Sequence, residues 1–206
     1  MRKALEADFG SEAVVDQPVT YRSSGLAQET GVSGIVYHIM GINGATCASF
    51  STPENLHAVA GLDPDLIIVS FGTNEAHGRN YSAEEHRRQL TSFFTELKNR
   101  CPHAAFLLTT PPGAYMRSGR RGKTINTRTP RVVETEKRFA ADNGLALWDL
   151  YDIAGGQERA CRNWTAANMF QRDRIHFTQE GYVLQGLLLH EAFIKAYNDY
   201  VATKLD

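Results

Sequence analysis

Short apolar runs alternate with longer amphipathic stretches along this chain, which is the pattern of strands followed by helices. Residues 35–40 and 65–71 form two compact apolar runs, and each is followed by a glycine. A continuous apolar run of this length suits a parallel strand that is covered on both faces. Two further strands are predicted over residues 104–110 and 145–150.

Amphipathic stretches between these runs predict the helices. A helix over residues 83–100 places Leu90, Phe93, Phe94 and Leu97 on one face, as expected for a helix that packs on a core. The remaining helices are predicted over residues 53–60 and 130–143, in part over 151–170, and from about 178 onward.

The two ends of the chain have their own patterns. Residues 1–9 predict a helix that stops at Gly10, and residues 16–22 predict a short edge strand or loop. The last helix carries one apolar stripe, which comprises Val183, Leu187, Ile194, Tyr197 and Val201.

The alternation of strands and helices predicts one three-layer α/β/α domain over residues 1–206, built on a parallel sheet. Binding and catalytic sites in such sheets form at the carboxyl ends of the strands. Three turns are predicted there, one at Gly44, one over residues 72–75, and one after Pro111.

Composition and charge narrow the classes of function. The chain has 206 residues, a formal net charge of −1 and an even mixture of acids and bases, so no global field favours nucleic acid or an anionic membrane. No apolar run approaches the roughly 20 residues of a membrane-spanning helix, and the N-terminus has no apolar signal segment. Cys47, Cys101 and Cys161 are widely spaced and are interpreted as buried thiols. The histidines show no metal-ligand spacing, so no metal or cofactor is expected.

Asp173 and His176 are the strongest candidates for chemistry. An aspartate can accept a hydrogen bond from the Nδ1–H of a histidine, which leaves Nε2 free to take a proton from a nucleophile. One turn of chain bridges this three-residue spacing. By itself the pair is weak evidence, because Asp-x-x-His also occurs by chance.

The order of the motifs resembles the SGNH (GDSL-like) hydrolase superfamily. Gly44 and the Gly-Thr-Asn-Glu of residues 72–75 each follow an apolar run, and the Asp173–His176 pair precedes the last helix. The resemblance implies that the Gly44 N–H and the Asn74 side chain bind the oxyanion, that His176 is the base, and that Asp173 orients it. Glu75 stands where the family often has aspartate. The segments around Gly44 and Pro111 resemble a bacterial branch that cleaves O-acetyl esters of carbohydrate or peptidoglycan.

One family block is absent, because the sequence contains no Gly-Asp-Ser. In the family this nucleophile turn follows the first strand and precedes a helix, and residues 1–9 resemble the end of that helix. We therefore expect a truncated chain, with the nucleophile upstream of Met1 and a flavodoxin-like sheet that lacks its first strand. Residues 14–21 are the candidate to fill that gap. No serine within the chain has the strand–turn–helix setting of a nucleophile, and Ser24 comes nearest.

Two questions stay open at this stage. A basic segment is either a solvated loop, a lid on an anionic glycan, or, least favoured, a nucleic-acid contact; it contains Arg117, Arg120, Arg121, Lys123, Arg128 and Arg131. The leading function is hydrolysis of a small-molecule or glycan ester, with neither nucleic acid nor membrane as partner. The alternative is an inactive glycan-binding or scaffold domain of the same fold. A nucleotide-binding domain is disfavoured, since the Gly44 turn lacks a P-loop lysine.

Overall fold

The structure is a computed structural model that describes residues 35–118 and 122–205. The predicted helix over 1–9, the predicted strand over 16–22 and the candidate gap-filling segment 14–21 lie outside the described residues. The chain divides into two compact units, Met1–Ala45 and Thr46–Asp206. The single domain and the missing first strand therefore stay predictions.

The described part of the first unit holds the turn that was predicted at Gly44. The Ala45 N–H donates to the Ile42 carbonyl at 3.1 Å, and Gly44 has a φ of +74°. Glycine adopts this left-handed conformation without the steric cost that a side chain incurs. The strand predicted over residues 35–40 is wrong, because the segment has only an isolated bridge at His38. Apolar composition does not determine strand pairing, and Ile35 is one of three large apolar side chains here that are more than half exposed.

The second unit alternates strands and helices. Its elements, in chain order, are α1 (Cys47–Phe50), α2 (Pro53–Ala60), β1 (Leu66–Ser70), α3 (Thr73–His77), α4 (Ala83–Arg100), β2 (Ala105–Thr109), β3 (Tyr115–Arg117), β4 (Lys123–Ile125), α5 (Thr129–Asp142), β5 (Ala146–Trp148), α6 (Leu150–Ile153), α7 (Gly156–Ala166) and α8 (Gln179–Leu205).

The described sheet is parallel, in the order β1-β2-β5. Its register pairs Leu66 with Ala105 and Ser70 with Thr109, and then Thr109 with Trp148. Helices flank this sheet, so the prediction of an α/β fold with a parallel sheet is confirmed. The predicted helices over 53–60, 83–100 and 130–143 are confirmed to within one residue.

Neighbouring residues of β2 show that helices cover both faces. The Phe106 ring lies 5.8 Å from Phe94 of α4, while Leu107 belongs to a cluster that includes Leu188 and Leu189 of α8. Because successive strand residues point to opposite faces, α4 and α8 lie on opposite sides of the sheet.

The last helix buries a different stripe from the predicted one. Leu187, Ile194 and Tyr197 are about half exposed, whereas Leu188 and Leu189 contact the core. The helix carries apolar residues around most of its circumference, so periodicity alone does not select the buried side. Likewise β1 is not covered throughout, since Leu66 at its start is exposed.

The segment after β2, predicted as a polar loop, contains an antiparallel hairpin of β3 and β4 that pairs Tyr115 with Ile125. The interpretation of the three cysteines is confirmed, because all are buried and free. Within the described residues, no helix is long and apolar enough to cross a membrane.

Candidate active site

Asp173 and His176 meet in one exposed turn between α7 and α8. The His176 Nδ1–H donates to Asp173 Oδ2 at 2.6 Å, and Asp173 Oδ1 accepts from the backbone N–H groups of Ile175 and His176 at 2.8 and 2.9 Å. The backbone therefore fixes the carboxylate, and the carboxylate fixes the ring. With Nδ1 donating, Nε2 of a neutral ring is the acceptor, which is the arrangement that a general base needs.

The charge of Asp173 is stabilised where it lies. Partial burial works against ionisation, but the hydrogen bonds from the His176 ring and from the two amides outweigh it and lower the pKa of Asp173 to about 2. The carboxylate thus stays ionised at neutral pH and can stabilise an imidazolium on His176.

Aromatic packing anchors this turn at both of its ends. Phe170 and Phe177 form a backbone bridge across the turn, and their rings stack with centroids 4.6 Å apart. The Gln171 N–H donates to the His176 carbonyl at 2.8 Å. Trp164 of α7 packs on Phe177 at 5.2 Å, so this tryptophan belongs to the core.

Asn74 lies in the first turn of α3, directly beyond the carboxyl end of β1. Glu75 holds the turn before it: Oε2 accepts from the Gly72 N–H at 2.8 Å, and Oε1 accepts from the Cys47 N–H at 2.7 Å. Gly72 has a φ of +99°, and a Cβ there would lie 2.7 Å from Glu136 Oε1. Glycine at position 72 is therefore required by conformation and by space.

A buried polar cluster lies behind this turn. Tyr81 Oη is 2.8 Å from Thr135 Oγ1 and 3.1 Å from His86 Nδ1, and His86 Nε2 is 3.9 Å from Glu136 Oε1. Neither carboxyl oxygen of Glu136 has a hydrogen-bond partner within the described part of the chain. Burial, followed by the negative charges of Glu75 and Asp149, holds the pKa of Glu136 well above its usual range. Burial also lowers the pKa of His86 to about 4.

A cavity of about 190 Å³ opens between Asn74 and this cluster. Most of the residues that line it carry a polar side chain, among them Asn74, Asn80, Tyr81, Ser82, Glu85, His86 and Gln89. A ligand beside Asn74 would therefore meet amide, hydroxyl and carboxylate groups. No cluster of metal-ligating side chains occurs in residues 35–118 and 122–205.

Comparison with known proteins identifies the family of this chain. The profile of the GDSL-like Lipase/Acylhydrolase family matches residues 7–184. The chain belongs to this family. No curated protein sequence matches the chain.

Solved structures of other proteins share the fold of this chain. A peptidoglycan O-acetylesterase structure is 24% identical with a TM-score of 0.69, and the match covers 78% of this chain and 46% of that one. A putative acylhydrolase from Bacteroides fragilis NCTC 9343 is 22% identical with a TM-score of 0.57, covering 76% and 73%. An acetyl xylan esterase is 18% identical with a TM-score of 0.57, covering 74% and 78%. The match to this GDSL-like chain thus spans less than half of the first structure.

The structure places the four predicted site residues differently. It brings Asp173 and His176 into contact, and it sets Asn74 just beyond the carboxyl end of β1. Gly44 belongs to the other compact unit, where it forms the turn described above. The catalytic roles of all four residues in this GDSL-like chain stay predictions.

Several residues that support the candidate site were not predicted from the sequence. Glu75 was noted only as a departure from aspartate, although an acid three residues after Gly72 is a known helix-start signal. His86 and Glu136 carried no signal, since each is a single polar residue on an amphipathic helix. Tyr115 and Asn126 are polar residues in and next to the hairpin. Both are buried, with Tyr115 Oη donating to the Cys161 carbonyl and Asn126 Nδ2 to the Ala76 carbonyl.

Proposed function

We propose that this GDSL-like chain is the His–Asp half of a serine ester hydrolase that cleaves O-acetyl esters of carbohydrate or peptidoglycan. One observation carries the proposal: the 2.6 Å contact between His176 and a backbone-fixed Asp173, in an exposed turn. This contact fixes the tautomer that leaves His176 Nε2 as a proton acceptor.

The reaction follows from the roles of these atoms. Nε2 of His176 takes the proton of a serine hydroxyl while the serine oxygen attacks the ester carbonyl. The Asn74 side chain donates to the oxygen that becomes negative, an interaction worth roughly 3 kcal/mol when such a donor is removed. The alcohol then leaves with the proton from His176, which yields an acyl-serine. The same Nε2 activates a water that releases the acid and regenerates the serine.

The nucleophile in this proposal is a serine that precedes Met1 in the encoded protein, because the sequence has no Gly-Asp-Ser. Two serines that lie beside the predicted turns, Ser49 and Ser70, have other settings. Ser49 Oγ accepts from the Thr46 N–H at 2.8 Å as part of the cap of α1. Ser70 lies inside the parallel ladder, paired with Thr109. Neither has the exposed strand-to-helix turn of an activated serine.

The substrate class is supported by two kinds of observation. Two of the similar structures are enzymes for acetyl esters of glycans, one of peptidoglycan and one of xylan. Most residues that line the cavity beside Asn74 carry an amide, a hydroxyl or a carboxylate, and these groups can hydrogen-bond to the hydroxyl groups of a glycan. The alternative is a catalytically inactive glycan-binding or scaffold domain of the same fold, which would need no nucleophile.

An ester hydrolysis assay separates these two functions. Two proteins are compared on a chromogenic acetate ester: the chain of residues 1–206, and the product of its gene including all codons in frame before Met1. We expect hydrolysis from the longer protein, loss of that hydrolysis in His176→Ala, and little turnover from residues 1–206. Robust His176-dependent hydrolysis by residues 1–206 would contradict the position of the serine. No hydrolysis by the longer protein would favour the binding domain.

A further inference from the structure

We propose that His77 is a positioning residue that sets the oxyanion-side helix α3 against the turn of Asp173 and His176. The inference rests on the proposed function, since positioning matters only if Asn74 and His176 act on one substrate. It adds a part to the site, because His77 belongs to none of the motifs from which the function was inferred.

The His77 ring lies between two backbone carbonyls. Nδ1 is 2.7 Å from the Thr73 carbonyl oxygen, one turn earlier in α3, and Nε2 is 3.0 Å from the Tyr115 carbonyl oxygen in β3. Carbonyl oxygens only accept hydrogen bonds, so the ring must donate. A neutral ring donates to one of them and the imidazolium donates to both. The side chain therefore connects the helix of Asn74 to the hairpin.

Tyr115 passes this connection on to the dyad. Its backbone N–H donates to the Arg174 carbonyl at 3.0 Å, and Arg174 lies between Asp173 and His176 in the sequence. One residue thus contacts α3 through its carbonyl and the dyad turn through its amide. The path from the Asn74 helix to the His176 turn consists of two hydrogen bonds and the backbone of one residue, Tyr115.

Other contacts hold the hairpin against the dyad turn. Lys123 Nζ donates to the Arg172 carbonyl, and the Arg174 guanidinium lies over the Tyr115 ring, 5.0 Å from its centroid. Arg174 has a φ of +59°, a conformation that is costly for a residue with a side chain. The Arg174 N–H donates to the Gln171 carbonyl at 2.9 Å, so both backbone polar groups of Arg174 are hydrogen-bonded in this conformation.

Two residues between the hairpin and α5 contact the far end of α3. Asn126 Nδ2 donates to the Ala76 carbonyl at 3.0 Å, and Arg128 Nη1 donates to the Gly78 carbonyl at 2.9 Å. Carbonyls at the end of a helix lack partners within the helix, so these donors satisfy them. Three side chains thus connect α3 and its end to neighbouring segments: His77, Asn126 and Arg128. Of these three, His77 is the one whose partner, Tyr115, is also hydrogen-bonded to the dyad turn.

The kinetic consequence follows from the geometry of catalysis. A displacement of about 1 Å between groups that act on one substrate costs about 100-fold in rate. We expect His77→Phe, which keeps a ring but removes both donors, to lower kcat by about 10- to 100-fold with little change in KM. His77→Gln should keep most of the rate, since its amide supplies two N–H groups at similar reach. His57→Phe, at an exposed position of α2, is the matched control and should leave the rate unchanged.

Hydrogen exchange tests the connection without any catalysis. Amide exchange is followed by mass spectrometry in the wild type, His77→Phe and His77→Gln. We expect faster exchange over residues 172–178 in His77→Phe, near-wild-type exchange there in His77→Gln, and unchanged exchange in α4 and α5.

Faster exchange confined to residues 73–78 would overturn the inference, as would equal kcat for His77→Phe and wild type in an active protein. If no ester is hydrolysed but the exchange of residues 172–178 still responds to His77→Phe, the proposed function fails while the connection stands.

Discussion

The exposed dyad turn and the buried polar cluster each place a carboxyl group beside a histidine ring, but in opposite surroundings. The side chains of Asp173 and His176 are 44% and 53% exposed, and they meet because they are three residues apart. His86 and Glu136 are 2% and 0% exposed, and they meet because α4 and α5 pack together. The dyad keeps its carboxylate charged, whereas burial in the cluster favours the neutral forms of both Glu136 and His86.

This difference in exposure and charge suits the dyad to proton transfer and the cluster to structural support. An exposed carboxylate with three donors is fixed in place and still faces solvent, which suits a group that handles protons from a substrate. The buried cluster packs behind the turn that carries Asn74 and closes the space that Gly72 leaves free. We therefore expect substitutions in the dyad to change rate and substitutions in the cluster to change stability.

Asp173→Asn should have the largest effect. The asparagine side chain keeps its size but no longer favours the Nδ1–H tautomer or stabilises an imidazolium, so kcat should fall by about 10³- to 10⁴-fold. Steady-state hydrolysis of an acetate ester by the active protein measures it. Asp199→Asn, in the exposed pair with Lys195 on α8, is the matched control and should leave kcat unchanged. Equal loss in both variants would contradict a specific role of Asp173.

Asn74→Ala should come next. It removes one donor to the developing oxyanion, so kcat should fall by about 10²- to 10³-fold while KM changes little. Asn55→Ala, which removes an amide from α2 that donates to the Phe50 carbonyl at 3.0 Å, is the control. A rise in KM with unchanged kcat would show that Asn74 binds the substrate and does not stabilise the transition state.

Glu75→Gln should affect stability more than the dyad substitutions do. An amide offers one acceptor oxygen, so the Gly72 or the Cys47 N–H loses its partner, at a cost of about 1–3 kcal/mol. Urea unfolding of Glu75→Gln and of Glu84→Gln, an exposed acid in the first turn of α4, gives the comparison. Equal unfolding midpoints would show that the two amides do not depend on the carboxylate.

Glu136→Gln should have the smallest effect, one that depends on pH. The raised pKa of Glu136 means that the folded state holds more protons than the unfolded state above about pH 4.5, so stability falls as pH rises from there. The lowered pKa of His86 acts oppositely, raising stability between about pH 4 and 6.5. His86 is present in both proteins, so its slope largely cancels when Glu136→Gln is compared with wild type. We expect the stability of Glu136→Gln relative to wild type, measured by urea unfolding, to rise as the pH rises above about 4.5. A difference that stays constant with pH above 4.5 would contradict a raised pKa of Glu136.

The sequence was sufficient to predict the elements whose patterns are local. The helix over 83–100 has a clear apolar face, and the strand over 65–71 ends at a glycine turn. The contact between Asp173 and His176 was also predictable, because a single turn joins the two residues. The pattern failed where pairing or packing decides: residues 35–40 are apolar but form only one bridge, and α8 buries Leu188 in place of Leu187.

The buried cluster was not predictable for the same reason. Glu136 and His86 are fifty residues apart, and each alone resembles a polar residue on the solvent side of a helix. Only the packing of α4 on α5 makes them neighbours. His77 likewise has no motif, because its partner is a backbone carbonyl of Tyr115 that any residue type would supply.

Labelling with a fluorophosphonate is the sharpest test of whether His176 is the base that activates a serine. This reagent forms a covalent bond with a serine only when a base activates it. The gene product with all in-frame codons before Met1 is labelled as wild type and as His176→Ala, and mass spectrometry measures the labelled fraction. If His176 is the base, we expect stoichiometric labelling of one serine in the wild type and none in His176→Ala. Equal labelling of the two proteins would contradict His176 as the base.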